Sequence, residues 1–147
     1  MKILACVDFT PAADAVVDVV GNLASSSTTT VTLLHVAAPE PAFVGYDDEG
    51  GPRSREDRER QLDHERVRIG QQAAILAQRG VETAETVMRV GATTDTILEV
   101  ADEIDADVVV VGRHRHGRLH DLLLGNTATE VVERSRRPVL IVPPRDD

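Results

Sequence analysis

A chain of 147 residues with a formal net charge of −9 has the size of one domain and enough length for a real core. Its single cysteine, Cys6, excludes an internal disulfide and any multi-cysteine zinc site, and the acidic balance argues against non-specific nucleic-acid binding. No apolar run reaches the roughly 18 residues of a membrane span, and Met1-Lys2 leads straight into a strand pattern. The expectation is therefore a cytoplasmic protein without signal peptide or membrane insertion.

Lys2 to Val7 (KILACV) reads as a short buried strand ending at Asp8. Cys6 sits among its apolar residues, so an inert buried thiol is expected. Thr10 is placed to cap a helix with Pro11 at its first position, where the missing N–H costs nothing. That helix runs to Ala24 or Ser25, with Ala12, Ala15, Val16, Val19, Val20 and Leu23 on its inward face. After a polar connector, Val31 to Val36 (VTLLHV) forms a second buried strand.

Residues 38–53 are rich in Pro, Gly and acid, and exceed the usual connection of about 4–6 residues. They read as either a functional lid or a disordered, flexible loop. Ser54 to Arg79 is then a long charged helix, turned inward through Leu62, Ile69, Ala73 and Leu76 and closed by Gly80. A third strand lies within Val81 to Val90. A helix follows from Thr93 or Thr94, with Ile97, Leu98, Val100 and Ala101 inward. Pro138 to Val142 supplies a fifth strand after the stretch considered next. Strands alternating with helices at this spacing predict a parallel α/β sheet, whose ligands sit beyond the carboxyl ends of the strands where the winding reverses.

Asp107 to Glu130 (DVVVVGRHRHGRLHDLLLGNTATE) organises the rest. Val108 to Val111 lacks polar alternation and suits a strand covered on both faces. Gly112 permits a turn or a close backbone approach. Arg113, Arg115 and Arg118 concentrate positive charge in a loop of an otherwise acidic chain. Thr127-Ala128-Thr129-Glu130 has capping-box spacing, leaving backbone N–H groups free around Gly125, Asn126 and Thr127. Cationic loop and helix N-terminus together suit a phosphate chain, against the plainer reading of a solvated loop.

Other chemistries fit less well. The spacing His114-x-His116-x3-His120 offers three imidazoles, but a loop lacks the fixed geometry of a metal site, and no metal ligand is assigned. Lys2 is the only lysine and no Gly-Lys-Ser/Thr occurs, which excludes the lysine-dependent ATPase loop. Asp8-Phe9-Thr10-Pro11 has none of the glycines of a dinucleotide fingerprint. Asp8 is open to two readings, acceptor for a ribose or cap for the following helix. No catalytic residue is assigned.

The spacing Gly112-x2-Arg115-x9-Gly125-Asn126 resembles the nucleotide motif G-x2-G-x9-G-[S/T] of the universal stress protein family. The resemblance runs nearly end to end, through Val7-Asp8, Leu33-Leu34-His35-Val36, Gly91, Leu122-Leu123-Leu124-Gly125 and Pro138 to Val142. It implies a single-domain, Rossmann-like fold of the adenine nucleotide alpha hydrolase type: a five-stranded parallel sheet in the order 3-2-1-4-5, with helices on both faces. It implies a homodimer, and ATP with Mg²⁺ as ligand. Carried over, Asp8 meets the ribose, the Val36 backbone the adenine, and Gly112 the ribose and phosphates, while Gly125 and Asn126 hold phosphate oxygens. Arg115 and Asn126 depart from the motif, where the family has Gly and Ser or Thr. Arg115 can offer a guanidinium fork in place of backbone, and Asn126 can still cap a helix. The reading is an ATP-binding regulatory module of the stress response. Its alternatives are a dimeric interaction module without nucleotide and a slow ATP hydrolase. The homodimer has a physical basis in the unbroken apolar strand Val139, Leu140, Ile141 and Val142, an unpaired template at a sheet edge.

Overall fold

The central strands are covered on both faces, whereas the edge strand at residues 84–90 exposes Glu85, Thr86 and Arg89. In the computed structural model, which describes residues 1–25, 28–39, 52–81, 84–114 and 126–145, nine elements alternate. They are β1 (Lys2–Cys6), α1 (Pro11–Ala24), β2 (Thr30–Ala37), α2 (Pro52–Gln78), β3 (Ala84–Val90), α3 (Thr93–Glu103), β4 (Val108–Gly112), α4 (Asn126–Arg134) and β5 (Val139–Val142). All strand pairs are parallel, in the expected order β3-β2-β1-β4-β5. Alternate residues face opposite layers. Ile3, Ala5, Val31, Leu33 and Val110 pack under α1 and α2, whereas Leu4, Leu34, Val109 and Val111 pack under α3 and α4. No helix among the described residues is long and apolar enough to cross a membrane.

β1 and β4 are the central pair, with Ile3 opposite Val108 and Ala5 opposite Val110. Their starts are pinned by two bonds: the Asp107 amide donates to the Lys2 carbonyl at 2.8 Å, and the Lys2 amide to Asp107 Oδ2 at 2.7 Å. The winding reverses between these strands, so their carboxyl ends open the crevice expected of a doubly wound sheet.

Several local expectations need correction. Thr10 stands at the N-cap of α1 but makes no side-chain cap bond; its hydroxyl and amide both donate to Asp8 Oδ1 instead, at 2.6 and 3.1 Å. The inward face of α1 consists of Ala12, Ala13, Ala15, Val16, Val17, Val20, Gly21 and Ala24, with half-buried Val19 packed against the same core, while Leu23 is exposed. The reason is steric: a Cβ on Gly21 would lie 3.1 Å from Arg79 Cδ of the segment closing α2. Close approach thus selects the face bearing small side chains over the one bearing larger apolar ones. α2 begins at Pro52, so residues 52 and 53 of the expected loop are helical; residues 40–51 lie outside the described residues. Finally, α4 has already begun at Asn126, so Thr127 is not its cap. The Glu130 carboxylate reaches across to α3 and accepts from Thr94 Oγ1 at 2.7 Å, rather than folding back on its own helix.

The closure of α2 at Gly80 is as expected. Gly80 has φ +83°, its amide donates to the Ala77 carbonyl at 3.0 Å, and the Val81 amide to the Leu76 carbonyl at 3.1 Å. This 6→1 and 5→2 pair of bonds satisfies carbonyls the helix would otherwise leave open.

Candidate functional site

A crevice opens at the carboxyl ends of β1, β2 and β4. Its walls bring together Asp8, Val36, Gly112 and Thr127, four of the residues singled out from the sequence. Leu34, Ile97 and Val111 make an apolar slot between them, and Thr127 brings the first turn of α4 to its rim. The amides of such a turn lack partners within the helix and favour an anion. The enclosed part measures about 90 Å³. Arg113 is not among the lining residues; its amide continues the β4–β5 ladder by donating to the Val142 carbonyl at 2.8 Å. Asn126 is the first residue of α4. Arg115 and Gly125 lie outside the described residues, as do His116, Arg118 and His120 of the histidine cluster.

The glycine at 112 answers to packing inside the fold. A Cβ there would lie 3.2 Å from Ala12 Cβ and 3.4 Å from the Ala12 carbonyl oxygen. α1 therefore sits hard against the end of β4, and this closeness gives the crevice its narrow floor.

Asp8 is held from three sides. Both Thr10 donors take Oδ1, and His114 Nε2 lies 2.5 Å from Oδ2. The amide of residue i+2 bonding to an Asp side chain forms an Asx turn, so Asp8 organises the entry to α1 without sitting at its N-cap. Phe9, between them, adopts φ 63°, a left-handed conformation rare for an aromatic residue. That strain is braced by β2 and α2 in the layer where Phe9 packs. His35 stacks on the Phe9 ring with centroids 4.3 Å apart, the Arg68 guanidinium carbon lies 4.6 Å from the centroid of the same ring, and Arg68 Nη2 donates to the Phe9 carbonyl at 3.2 Å.

Cys6 lines the crevice and is half-buried. Desolvation of its thiol, with the Asp8 carboxylate adding to it, pushes the group up to about 12. That direction disfavours a reactive thiolate, but the thiol stands half-buried in the crevice wall, whereas the strand pattern places it inside the core. Reading the sequence alone missed Thr93, which lines the crevice from the start of α3, and the pairing of His114 with Asp8. Thr93 carried a faint signal in its place two residues after Gly91, at the end of β3. His114 carried none, because two side chains so far apart in the chain meet only through the β1–β4 register.

Comparison with known proteins gives a consistent result. The chain is 27% identical over 140 residues to universal stress protein A homolog 1 of Coxiella burnetii, covering 95% of this chain and 94% of that protein. It is 36% identical over 70 residues to a Synechocystis universal stress protein, a match spanning 48% of this chain and less than half, 44%, of the relative. Among solved structures, universal stress protein UspA of Lactobacillus plantarum superposes with TM-score 0.81 at 22% identity, covering 97% of each chain. A universal stress protein in complex with cAMP superposes with TM-score 0.70 at 23% identity, covering 97% of this chain and 95% of that one. The Archaeoglobus fulgidus protein in complex with dAMP gives TM-score 0.67 at 21% identity, covering 97% of each. A family model described as the universal stress protein family matches residues 1–143, and with the sheet order above the chain belongs to that family.

Proposed function

We propose that the crevice binds an adenine nucleotide, ATP with Mg²⁺, and that the protein is a nucleotide-responsive regulatory module of the stress response in the cytoplasm. One observation carries the reading: a carboxylate, an apolar slot and a helix N-terminus converge at the reversal between β1 and β4. Asp8 would accept from the ribose, Val36 would flank the base through its backbone, and Gly112 would lie along the ribose. Gly125, Asn126 and Thr127, with Arg113 and Arg115, would face the phosphates. Relatives of the same fold in complex with cAMP and dAMP support an adenine ligand. No group able to hold a metal occurs among the described residues, so Mg²⁺ would arrive on the triphosphate oxygens, as this ion commonly does. Binding would order the loop after β4 and change the surface offered to a protein partner.

Isothermal titration with ATP and Mg²⁺ is the test. Saturable heat in the wild type, lost in Asp8→Ala, is expected; no heat from a folded wild type retires the reading.

A dimeric interaction module that needs no nucleotide is the second reading, favoured by β5. Val139, Leu140 and Ile141 remain partly exposed at the sheet edge. Since Pro138 and Val142 offer their carbonyls to β4, the alternation turns the backbone of Val139 and Ile141 outward. A second copy pairing along β5 would satisfy those groups. A slow ATP hydrolase would need a general base, and within the described crevice only His114 is an imidazole.

A further inference from the structure

The second oxygen of Asp8 carries an inference about how the site is controlled, resting on the nucleotide reading above. A carboxylate oxygen has two lone pairs. Those of Oδ1 are used by the Thr10 amide and hydroxyl. Oδ2 is left for a sugar hydroxyl, and His114 Nε2, 2.5 Å from it, takes one of its two lone pairs and crowds the approach to the other. The two side chains lie at the mouth of the slot that a nucleoside would enter, with about a third of His114 and somewhat more of Asp8 open to solvent (34% and 43%). We propose that His114 is a proton-controlled latch on the nucleotide site, competing with the ribose for Asp8 and closing the crevice when its imidazole is charged.

The chemistry fixes the sign. An imidazolium donating to a carboxylate makes a charge-assisted bond, stronger than the one a neutral ring can make. Acidification therefore strengthens the latch, and alkalinisation loosens it. A ligand that must first open a latched site binds more weakly by the fraction of open molecules. Among the described lining residues the titratable groups are Cys6, Asp8 and His114, and α1, α3 and α4 turn none toward the crevice. Cys6 stays neutral as pH falls because its thiol is pushed up to about 12. Arg113, next in the chain, keeps its charge throughout.

Titration of ATP and Mg²⁺ into wild type and His114→Asn, each at about pH 8 and about pH 5.5, tests the latch. The terminal phosphate also titrates in this interval, so the readout is the difference between the two proteins. The variant is expected to bind more tightly than wild type at the acid end, by about five- to tenfold, with the gap narrowing at the alkaline end. Equal pH dependence in both proteins overturns the latch and leaves the nucleotide reading standing. So does a wild type that gains on the variant as pH falls, since His114 would then be attracting phosphate. Absence of heat from both folded proteins at both pH values overturns the nucleotide reading and this inference with it.

Discussion

His35 Nδ1 lies 2.9 Å from the Val7 carbonyl oxygen, so it is this nitrogen that carries the hydrogen, and Nε2 faces Glu65 Oε2 at 3.5 Å. One buried imidazole thus ties β2 to the end of β1, one residue before the carboxylate of the candidate site, while its other nitrogen faces α2.

Removing that imidazole strands the Val7 carbonyl. His35→Ala leaves it without the ring donor, and the expected loss is about 1–3 kcal/mol of folding stability. Urea denaturation checks it. An unchanged midpoint would show that the carbonyl finds another donor.

Two glycine substitutions should behave differently for separable reasons. At Gly80 nothing lies within 4 Å of an added Cβ, but φ is +83°. Gly80→Ala should therefore cost about 1 kcal/mol, wholly conformational, and leave ligand binding untouched. Gly112→Ala meets Ala12 on α1 at 3.2 Å. It should cost about 1–3 kcal/mol and weaken nucleotide binding as well, since relief requires α1 to shift at the crevice floor. Thermal unfolding paired with titration separates the two.

The Cys6 thiol links stability to alkaline pH. Its ordinary value is 9.0 and the fold raises it to about 12. The native state disfavours the thiolate, so its contribution is complete below about pH 9 and declines as pH rises toward 12. Between about pH 9 and 10.5 the wild type should lose roughly 1–2 kcal/mol relative to Cys6→Ala. Parallel pH profiles for the two proteins would show that the thiol ionises freely in the folded state.

Edge pairing through β5 predicts a dimer at micromolar concentration by analytical ultracentrifugation. Ile141→Pro removes an outward N–H without touching the ladder to β4, so it should give a monomer with the sheet intact. An unchanged mass would exclude β5 as the pairing edge.

The fold was largely legible because its signals are local and repeated. Apolar runs such as Val108 to Val111 and the Gly80 stop need only their own neighbours to be read. Faces and caps were less so. Size-weighted periodicity put Leu23 inward, although Gly21 and Ala24 meet the neighbouring helix. Glu130 looked like half of a capping box, yet Thr94, thirty-six positions earlier, takes its carboxylate. At the crevice, Asp8 and Gly112 could be named from position in the chain. The His114 contact could not, since it depends on which strands lie side by side.

The β1–β4 pairing also has a temporal consequence. The bond from the Lys2 amide to Asp107 spans 105 positions. During synthesis, β1, α1 and β2 emerge long before the strand that supplies the opposite wall. The nascent chain has no complete crevice until the last third has left the ribosome. Any ligand that then enters binds only the finished protein, and so draws the newly made chain toward its folded form.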